Sequence, residues 1–310
     1  MVSTTFWFTM LSIASVSMTI CNKLLMTGVL GEHKHVAMML QNGISVAVLS
    51  ISSALGILHT EPADTKQLLL YTWEAFVMVV QLYASFMTIQ MLPISANSTM
   101  KTLAIPLVAL SERIVLGVRQ PFAKHMWSWM VVAGAMTYAY EDIMDSAALS
   151  STLSIGYMWA FANVVAHSAN SLLDRYLMSN VKQTAVGMAI YTQAISTLFN
   201  AIFDMKIVSV VPQVLGALDR LQMCSLLITG IGAALIGSCY AQCYAHAPAT
   251  SVTIASNVNK ALTSCAAYMM FGETLSLMQA FGLLLCLAGG AAYSLVGKGP
   301  IFSKDKSSKE

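Results

Sequence analysis

Long hydrophobic stretches separated by short polar breaks run along the whole chain. Each stretch is about 20 to 27 residues long, and a helix needs ~20 mostly apolar residues to cross the hydrocarbon core of a bilayer. The pattern therefore predicts an all-α polytopic protein with about ten transmembrane helices and short loops. The predicted spans are 5–27, 34–56, 68–91, 95–117, 122–141, 152–178, 185–207, 222–246, 249–272 and 275–297.

Composition favours a single membrane domain. The chain is 57% hydrophobic and 10% charged, whereas soluble domains carry about 25% charged residues. Residues 1–297 are predicted to form one transmembrane domain, and 298–310 a disordered cytosolic tail. No basic region precedes the first segment, so it is predicted to be a retained helix rather than a signal peptide. The formal net charge of +2 indicates no nucleic-acid partner.

The charged residues in the breaks predict the orientation. If the N-terminus is cytosolic, the cytosolic side receives most of the basic residues, and the other side receives an acidic cluster. Cytosolic loops of membrane proteins carry an excess of Lys and Arg, so both termini are predicted to be cytosolic. An even number of helices agrees with this. The basic residues on the cytosolic side are Lys66, Arg119, Lys124, Arg175, Lys182, Lys298, Lys304, Lys306 and Lys309, and the acidic cluster is Glu141, Asp142 and Asp145.

An internal repeat relates the two halves of the chain. Residues 97–103 in segment four resemble residues 256–262 in segment nine, and 133–138 in segment five resemble 288–293 in segment ten. Each pair is five helices apart, and an odd number of helices per repeat makes the repeats inverted. The predicted repeats are about 5–141 and 152–297. Transporters built this way bind their solute near the midplane, between the repeats.

The sharpest polar cluster lies inside segment nine, where Ser256, Asn257 and Asn259 accompany Lys260. A charged side chain at the bilayer centre costs roughly 2.5–3.5 kcal/mol on insertion scales, and it normally faces a water-filled pathway. A lysine supplies a point charge for phosphate, and an asparagine amide both donates and accepts hydrogen bonds. The alternative is a structural lysine bonded to helix ends, which we rank second. Lys101 is a weaker candidate because it lies nearer its helix end and can reach the interface.

Two further groups of polar residues are candidate binding residues. Asn22 and Lys23 end segment one, where Lys23 binds solute or anchors at the interface. Tyr191, Thr192 and Gln193 lie inside segment seven, and an aromatic ring can stack on any nucleobase. Taken alone, either group is also an ordinary polar patch. Other residues that can line a cavity are Tyr83, Ser85, Asn163, His167 and Asn170.

Catalytic and metal-binding patterns are missing from the sequence. It has no Walker motif, no paired catalytic carboxylates and no cluster with metal-ligand spacing, so we predict neither an enzyme nor a cofactor or metal site. The six cysteines are expected to be small buried apolar residues. Asp174 and Arg175 are predicted to pair at the membrane edge. Glu112 and Glu273 lie at helix ends, so no acidic residue within the membrane is expected to couple transport to an ion gradient.

Three motifs resemble a known family. The first helix ends in Thr19-Ile20-Cys21-Asn22-Lys23, Leu92-Pro93-Ile94 is followed by Lys101, and residues 256–260 read Ser-Asn-Val-Asn-Lys. These motifs resemble the nucleotide-sugar transporters of the drug/metabolite transporter superfamily, over nearly the whole chain. The resemblance is strongest to the GDP-mannose transporters.

The resemblance implies a Golgi antiporter that imports a nucleotide-sugar into the lumen and returns a nucleoside monophosphate. It implies that Asn259 and Lys260 contact the sugar and phosphate portion. The family reads guanine with a tyrosine followed by two asparagines on helix seven, and here the corresponding residues are Tyr191, Thr192 and Gln193. GDP-mannose, exchanged for GMP, is the best single guess. The implied partners are these two solutes and membrane lipid.

Several alternatives remain open at this point. A UDP-sugar transporter or a sugar-phosphate/phosphate translocator of the same superfamily would share most of these features. A non-transporting membrane receptor or scaffold is a third class, which large soluble loops would favour. The sequence leaves open the sugar, the base, the compartment (Golgi, ER or another endomembrane) and the oligomeric state, with a homodimer as one option.

Overall fold

The computed structural model of the protein describes residues 4–115, 121–149, 151–181, 183–246 and 275–296, together with 263, 266, 269, 270 and 272. The described residues form helices and a 3-10 turn (Val29–Gly31), and no strand is found among them. The prediction of an all-α polytopic fold is confirmed. The helices are α1 (Thr4–Met26), α2 (Lys34–Ala54), α3 (Thr65–Met91), α4 (Ile94–Lys101), α5 (Ala104–Val115), α6 (Phe122–Leu149), α7 (Ser151–Asn180), α8 (Ala185–Phe203), α9 (Ile207–Ala217), α10 (Arg220–His246) and α11 (Leu277–Leu295).

Most predicted spans agree with one helix each, within a few residues at either end. Two differ: α6 continues to Leu149, past the predicted end at 141, and the short helix α9 follows α8 where no separate element was predicted. Most of segment nine lies outside the described residues, although residues 263, 266, 269 and 270 are helical.

Segment four is broken into α4 and α5, where one continuous helix was predicted. Pro106 has no N–H, so it cannot bond to the carbonyl of Thr102 four residues earlier. The backbone tightens instead, because Leu103 N donates to Met100 O at 3.0 Å and Ile105 N donates to Thr102 O at 3.0 Å. These are bonds to the third preceding residue, as in a 3-10 turn. Lys101 is therefore the last residue of α4 and lies at this break, nearer the Ile94 end of the span than its Val115 end.

The packing of the helices has the symmetry of an inverted repeat. The first repeat holds α1, α2, α3, α4–α5 and α6; the second holds α7, α8, α10, segment nine and α11. The closest pairs are α1 with α10, α3 with α7, α2 with α8, and α6 with α11. If each helix is replaced by its counterpart in the other repeat, the pair α1–α10 becomes the pair α7–α3. The pairs α2–α8 and α6–α11 each remain the same pair. Among the described helices, the packing thus agrees with the inverted repeats that the sequence predicts.

Similar caps begin equivalent helices of the two repeats. Asp64 accepts a hydrogen bond from Gln67 N at 2.7 Å at the start of α3, and Asp219 accepts one from Gln222 N at 2.7 Å at the start of α10. In both cases the glutamine side chain bonds back to the aspartate N–H, which completes a capping box. The caps fix the first turn of each helix at corresponding positions.

Helices α6 and α11 approach closely through small residues. A Cβ atom added to Gly282 would lie 2.5 Å from Tyr138 N and 2.7 Å from Gly134 O, and one added to Gly134 would lie 2.7 Å from Cys286 N. These neighbours are backbone atoms, which cannot move aside. Small residues let membrane helices pack backbone to backbone, and here they join the last helices of the two repeats.

Large apolar side chains cover much of the outside of the bundle. Phe122 is 82% exposed, Trp129 is 71% exposed and Leu277 is 92% exposed. Five of the described helices, α1, α2, α3, α8 and α10, are long and apolar enough to cross a membrane. Such exposure is unusual for a soluble monomer but is expected of a surface that faces lipid. The protein is a multi-pass membrane protein.

Candidate functional site

Polar side chains with unpaired atoms are concentrated inside the bundle. Native proteins pair most of their buried polar atoms, so unpaired ones mark places where water or a solute binds. In the described part of the chain these atoms belong to helices α2, α3, α4, α7 and α8. They are Ser45 Oγ, Tyr71 Oη, Gln81 Oε1, Asn97 Oδ1, Asn163 Nδ2, Asn170 Oδ1 and Gln193 Oε1.

Lys101 brings a positive charge into this interior. Its Nζ donates to Ser85 Oγ on α3 at 3.3 Å, a long bond to a neutral oxygen. Thr99 and Thr102 beside it are fully buried. Within the part of the chain that the structure describes, this hydroxyl is the hydrogen-bond partner given for the ammonium group. A hydroxyl alone does not offset the hydration that a partly buried ammonium group loses, whereas an anion does. Discontinuous helices at mid-membrane often carry the solute site of a transporter.

Aromatic and histidine side chains line the interior toward one end of the bundle, the end at which residues 27–33 connect α1 to α2. His35 of α2 stacks on Tyr83 of α3 with ring centroids 5.1 Å apart, and Tyr83 meets Trp159 of α7 edge-on at 5.7 Å. His35 Nδ1 and Asn200 Oδ1 lie 3.0 Å apart. Tyr83 had been proposed as a lining residue from sequence, whereas His35 and Trp159 had not.

Tyr191 lies at the opposite end of the bundle, against the loop 55–64. Its hydroxyl accepts from Ala63 N at 3.2 Å and donates to Glu61 O at 3.4 Å. One face of its ring stacks on Tyr71, with planes 1° apart and centroids 5.6 Å apart. A base that stacks on Tyr191 must therefore use the other face of the ring or displace Tyr71.

Thr192 and Gln193 have different environments. Thr192 Oγ1 donates to Glu74 Oε2 at 2.8 Å, and both residues are buried. Gln193 is 9% exposed and its Oε1 atom has no partner. Of the three residues predicted on this helix, Gln193 therefore has the polar group best able to accept a hydrogen bond from a solute.

Asn22 and Lys23 hold helices together. Gln41 Nε2 donates to Asn22 Oδ1 at 2.8 Å. Lys23 Nζ donates to Ile89 O at 2.7 Å and to Leu92 O at 2.9 Å, so it caps the C-terminal end of α3. A lysine at a helix C-terminus bonds the last carbonyls and is attracted to the negative end of the helix dipole. The described contacts give Lys23 a structural role.

The strongest sequence candidates lie outside the described residues. Ser256, Asn257, Asn259 and Lys260 all fall there, so their role in binding stays a prediction. Lys101 is the predicted counterpart of Lys260 in the first repeat, and its contact with Ser85 is described.

A buried carboxyl group was missed in the sequence. Glu74 of α3 is 4% exposed and accepts a hydrogen bond from Thr192 Oγ1. Asp174 of α7 is half-buried, and its Oδ2 accepts from Asn170 Nδ2 at 3.2 Å. The prediction that Asp174 pairs with Arg175 stays a prediction, because the side chain of Arg175 lies outside the described residues. A lone glutamate between apolar residues of segment three was the signal that should have been noticed.

Comparison with known proteins identifies similar chains. Residues 154–295 match the model of the EamA-like transporter family. The chain is 22% identical over 297 residues to a GDP-mannose transporter of Yarrowia lipolytica, which covers 91% of this chain and 90% of the relative. It is 22% identical over 303 residues to a GDP-mannose transporter of Komagataella pastoris, with 96% and 89% covered.

Two other matches are shorter or more distant. A GDP-mannose transporter of Schizosaccharomyces pombe is 24% identical over 162 residues, which cover 52% of this chain and 47% of the relative. A protein of known crystal structure has a TM-score of 0.60 and 16% identity, and the match covers 94% of this chain and 97% of that one. At this identity it supports the fold alone.

These relatives confirm the resemblance that the sequence motifs predicted. They are named transporters, in agreement with a multi-pass membrane transporter rather than an enzyme.

Proposed function

We propose that the protein exchanges a nucleotide-sugar for a nucleoside monophosphate across an endomembrane. The observation that carries the proposal is the similarity to curated GDP-mannose transporters over more than nine-tenths of the chain. The imported solute is a GDP-sugar, with GDP-mannose the best single candidate, and the returned solute is GMP. The membrane is that of the Golgi, with both termini cytosolic and the 55–64 end of the bundle facing the cytosol.

The phosphates are bound by lysines of the two repeats. Lys101 contacts one neutral hydroxyl, and its charge is available to an anion. Lys260 occupies the equivalent place in segment nine and approaches the same solute from the other repeat. Lysine suits this task because its ammonium group is a compact charge that phosphate oxygens can approach from several directions.

The base is read near the start of α8. Gln193 offers a buried amide whose carbonyl oxygen is unpaired, which can accept a hydrogen bond from guanine. Thr192 is already bonded to Glu74, so the base meets one side-chain amide where the family uses two. We infer that guanine is preferred by a smaller margin than in transporters with both asparagines.

A UDP-sugar is the second candidate, and the residues that stand in place of the two asparagines favour it. Replacement of both asparagines removes part of the guanine-reading set, and Thr192 is occupied within the bundle. Uracil has fewer donor groups on its edge than guanine, so it places fewer demands on a single glutamine.

Binding of nucleoside monophosphates to the purified protein tests this assignment. A ligand that binds only the folded protein stabilises it by about 2.7 kcal/mol at a concentration 100 times Kd, so thermal unfolding in detergent reports binding directly. We expect GMP to raise the unfolding temperature more than UMP, AMP or CMP. Gln193→Ala should reduce the preference for GMP, since one unmatched buried polar group costs about 1–3 kcal/mol. Greater stabilisation by UMP in the wild type would contradict the guanine assignment and favour a UDP-sugar.

A further inference from the structure

Helices α2 and α8 hold equivalent places in the two repeats and pack against each other. Their sequences agree over five positions, because residues 41–45 read Gln-Asn-Gly-Ile-Ser and residues 192–196 read Thr-Gln-Ala-Ile-Ser. The two stretches also begin at the same place in the structure. Gln41 and Thr192 each lie seven residues after the first residue of their helix.

This register makes Asn42 equivalent to Gln193, and Ser45 equivalent to Ser196. Asn42 Nδ2 of α2 donates to Ser196 Oγ of α8 at 2.8 Å. The two helices are antiparallel, because they are the second helices of inverted repeats. Three residues further along α2 and three residues back along α8, Ser45 therefore lies level with Gln193.

The second of these pairs is not bonded in the structure. Ser45 Oγ and Gln193 Oε1 are buried atoms without a hydrogen-bond partner. Ser45 and Ser196 are each 0% exposed, and Asn42 and Gln193 are 4% and 9% exposed, so the two pairs are equally buried. A buried polar group without a partner is costly. The missing bond between Gln193 and Ser45 therefore requires an explanation.

The neighbouring equivalent bonds are made in both repeats. Gln41 Nε2 of α2 donates to Thr229 Oγ1 of α10 at 2.9 Å, and Thr192 Oγ1 of α8 donates to Glu74 Oε2 of α3 at 2.8 Å. Thr229 and Glu74 are themselves equivalent, because each lies ten residues after the aspartate that caps its helix. The difference between the repeats thus lies in the pairs that cross from α2 to α8.

Hydrogen bonds between the repeats also hold one end of the bundle together. Gln183 Nε2 donates to Glu61 O at 2.6 Å, and Glu61 N donates to Gln183 Oε1 at 3.1 Å. Ala63 N donates to the Tyr191 hydroxyl at 3.2 Å. The loop 55–64 of the first repeat is thus tied to the beginning of α8 in the second, and this end is closed in the structure.

Inverted repeats give a transporter two related conformations. If each repeat takes the conformation of the other, the same fold faces the opposite side of the membrane, which is how such proteins open alternately. This exchange preserves every bond that both repeats make. It reverses a bond that one repeat makes and the other does not.

We propose that the bonds Asn42–Ser196 and Gln193–Ser45 are the two alternative positions of a switch between α2 and α8. With the 55–64 end closed, the first bond is made and the second is not. When that end opens, Gln193 Nε2 donates to Ser45 Oγ, and Asn42 separates from Ser196.

The switch keeps the two conformations close in free energy, because one hydrogen bond replaces an equivalent one. A protein that opens repeatedly to both sides needs both conformations to be populated. Gln193 Oε1 stays available to a nucleobase in either position, so the switch is compatible with base reading. The switch rests on the alternate opening that the proposed function requires, and not on the identity of the solute.

Substitution of the two equivalent serines by alanine makes the same chemical change with opposite expected effects. Ser196→Ala removes the acceptor of the bond that is made, which favours opening of the 55–64 end. Ser45→Ala removes an unpaired hydroxyl from the closed conformation and an acceptor from the open one, which favours closing. Each variant is therefore the matched control of the other.

Amide hydrogen exchange of the purified, ligand-free protein reports which conformation is populated. The N–H groups of Glu61 and Ala63 are bonded across the closed end, so they exchange when it opens. We expect these amides to exchange roughly tenfold faster in Ser196→Ala than in the wild type, which corresponds to about 1.4 kcal/mol. We expect slower exchange in Ser45→Ala. Any result in which the two substitutions do not shift exchange in opposite directions would overturn the proposal.

The two donors provide the same test if an alanine variant does not fold. Asn42→Leu should speed the exchange of the loop amides, and Gln193→Met should slow it, whereas shifts in the same direction would contradict the switch. Neither experiment includes a nucleotide. A protein that switches as expected but binds no nucleotide would therefore contradict the proposed solute and leave the switch intact.

Discussion

At the scale of single residues, the lysines separate into two kinds. Lys23 donates to two backbone carbonyls at the end of α3, whereas the bond of Lys101 to a described residue is a long one to the hydroxyl of Ser85. The first contact stabilises the fold and the second leaves charge available for a solute. From sequence motifs alone, Lys23 and Lys101 are both candidate binding residues. A motif does not show which carbonyl oxygens lie within hydrogen-bonding distance of a side chain.

Substitution of each lysine by methionine should separate these roles. Lys23→Met removes charge-assisted hydrogen bonds worth roughly 1.5–3 kcal/mol, so we expect a lower unfolding temperature. Lys101→Met removes an incompletely paired charge, and we expect an unchanged or higher unfolding temperature together with roughly 10- to 150-fold weaker GMP binding, which corresponds to the loss of 1.5–3 kcal/mol. Thermal unfolding with and without GMP measures both effects. Unaltered GMP binding by a folded Lys101→Met protein would contradict the role given to Lys101.

Buried polar residues were harder to predict than the lysines. Glu74 could have been identified as an unusual residue from its apolar neighbours, but its bond to Thr192 could not, because nothing in the sequence shows that α3 packs against α8. The positions of Tyr191 and Thr192 in the chain were known, yet their occupied hydrogen bonds depend on the loop 55–64 and on α3. Pairing between distant helices is the information that the hydrophobic pattern lacks.

At the scale of the helices, hydrophobic length predicted most of the architecture. Membrane helices satisfy their own backbone groups, so an apolar stretch of sufficient length nearly determines its structure. The break between α4 and α5 is the exception that matters, since it places Lys101 at the C-terminal end of a short helix inside the span. Pro106 was a visible signal for that break. The helix α9 is apolar, but it was missed because its 11 residues are too few to span a membrane and include Pro212. The extension of α6 to Leu149 was missed because it carries Asp142 and Asp145.

The contact of α6 with α11 gives a prediction at this scale. Gly282→Ala places a methyl group against backbone atoms of α6, and overpacking of this kind typically costs 1–3 kcal/mol, so we expect a clearly lower unfolding temperature. Gly43→Ala in α2 is the matched control, because nothing lies within 4 Å of the added Cβ atom. It should be neutral or slightly stabilising, since alanine favours a helix over glycine. Equal effects of the two substitutions would show that α6 and α11 are not packed as described.

At the scale of the whole molecule, the described helices pack with the symmetry expected of two inverted repeats. Polar side chains with unpaired atoms lie inside this bundle, and Lys101 lies at the break between α4 and α5. Such an arrangement suits a protein that opens alternately to each side around a central solute. The sequence predicted the repeats from two pairs of similar stretches, but the buried polar contacts became visible only when the helices were seen together.

Uptake of GDP-mannose by purified protein in lipid vesicles tests the central claim most directly. Vesicles loaded with GMP, UMP or buffer alone are compared at equal internal and external pH, with Lys260→Ala as the inactive variant. We expect rapid uptake into GMP-loaded vesicles, slower uptake with UMP, little uptake into buffer-loaded vesicles, and loss of uptake in Lys260→Ala. Equal uptake into buffer-loaded vesicles, or near-normal uptake by Lys260→Ala, would contradict the proposed exchange of a nucleotide-sugar at a site built around paired lysines.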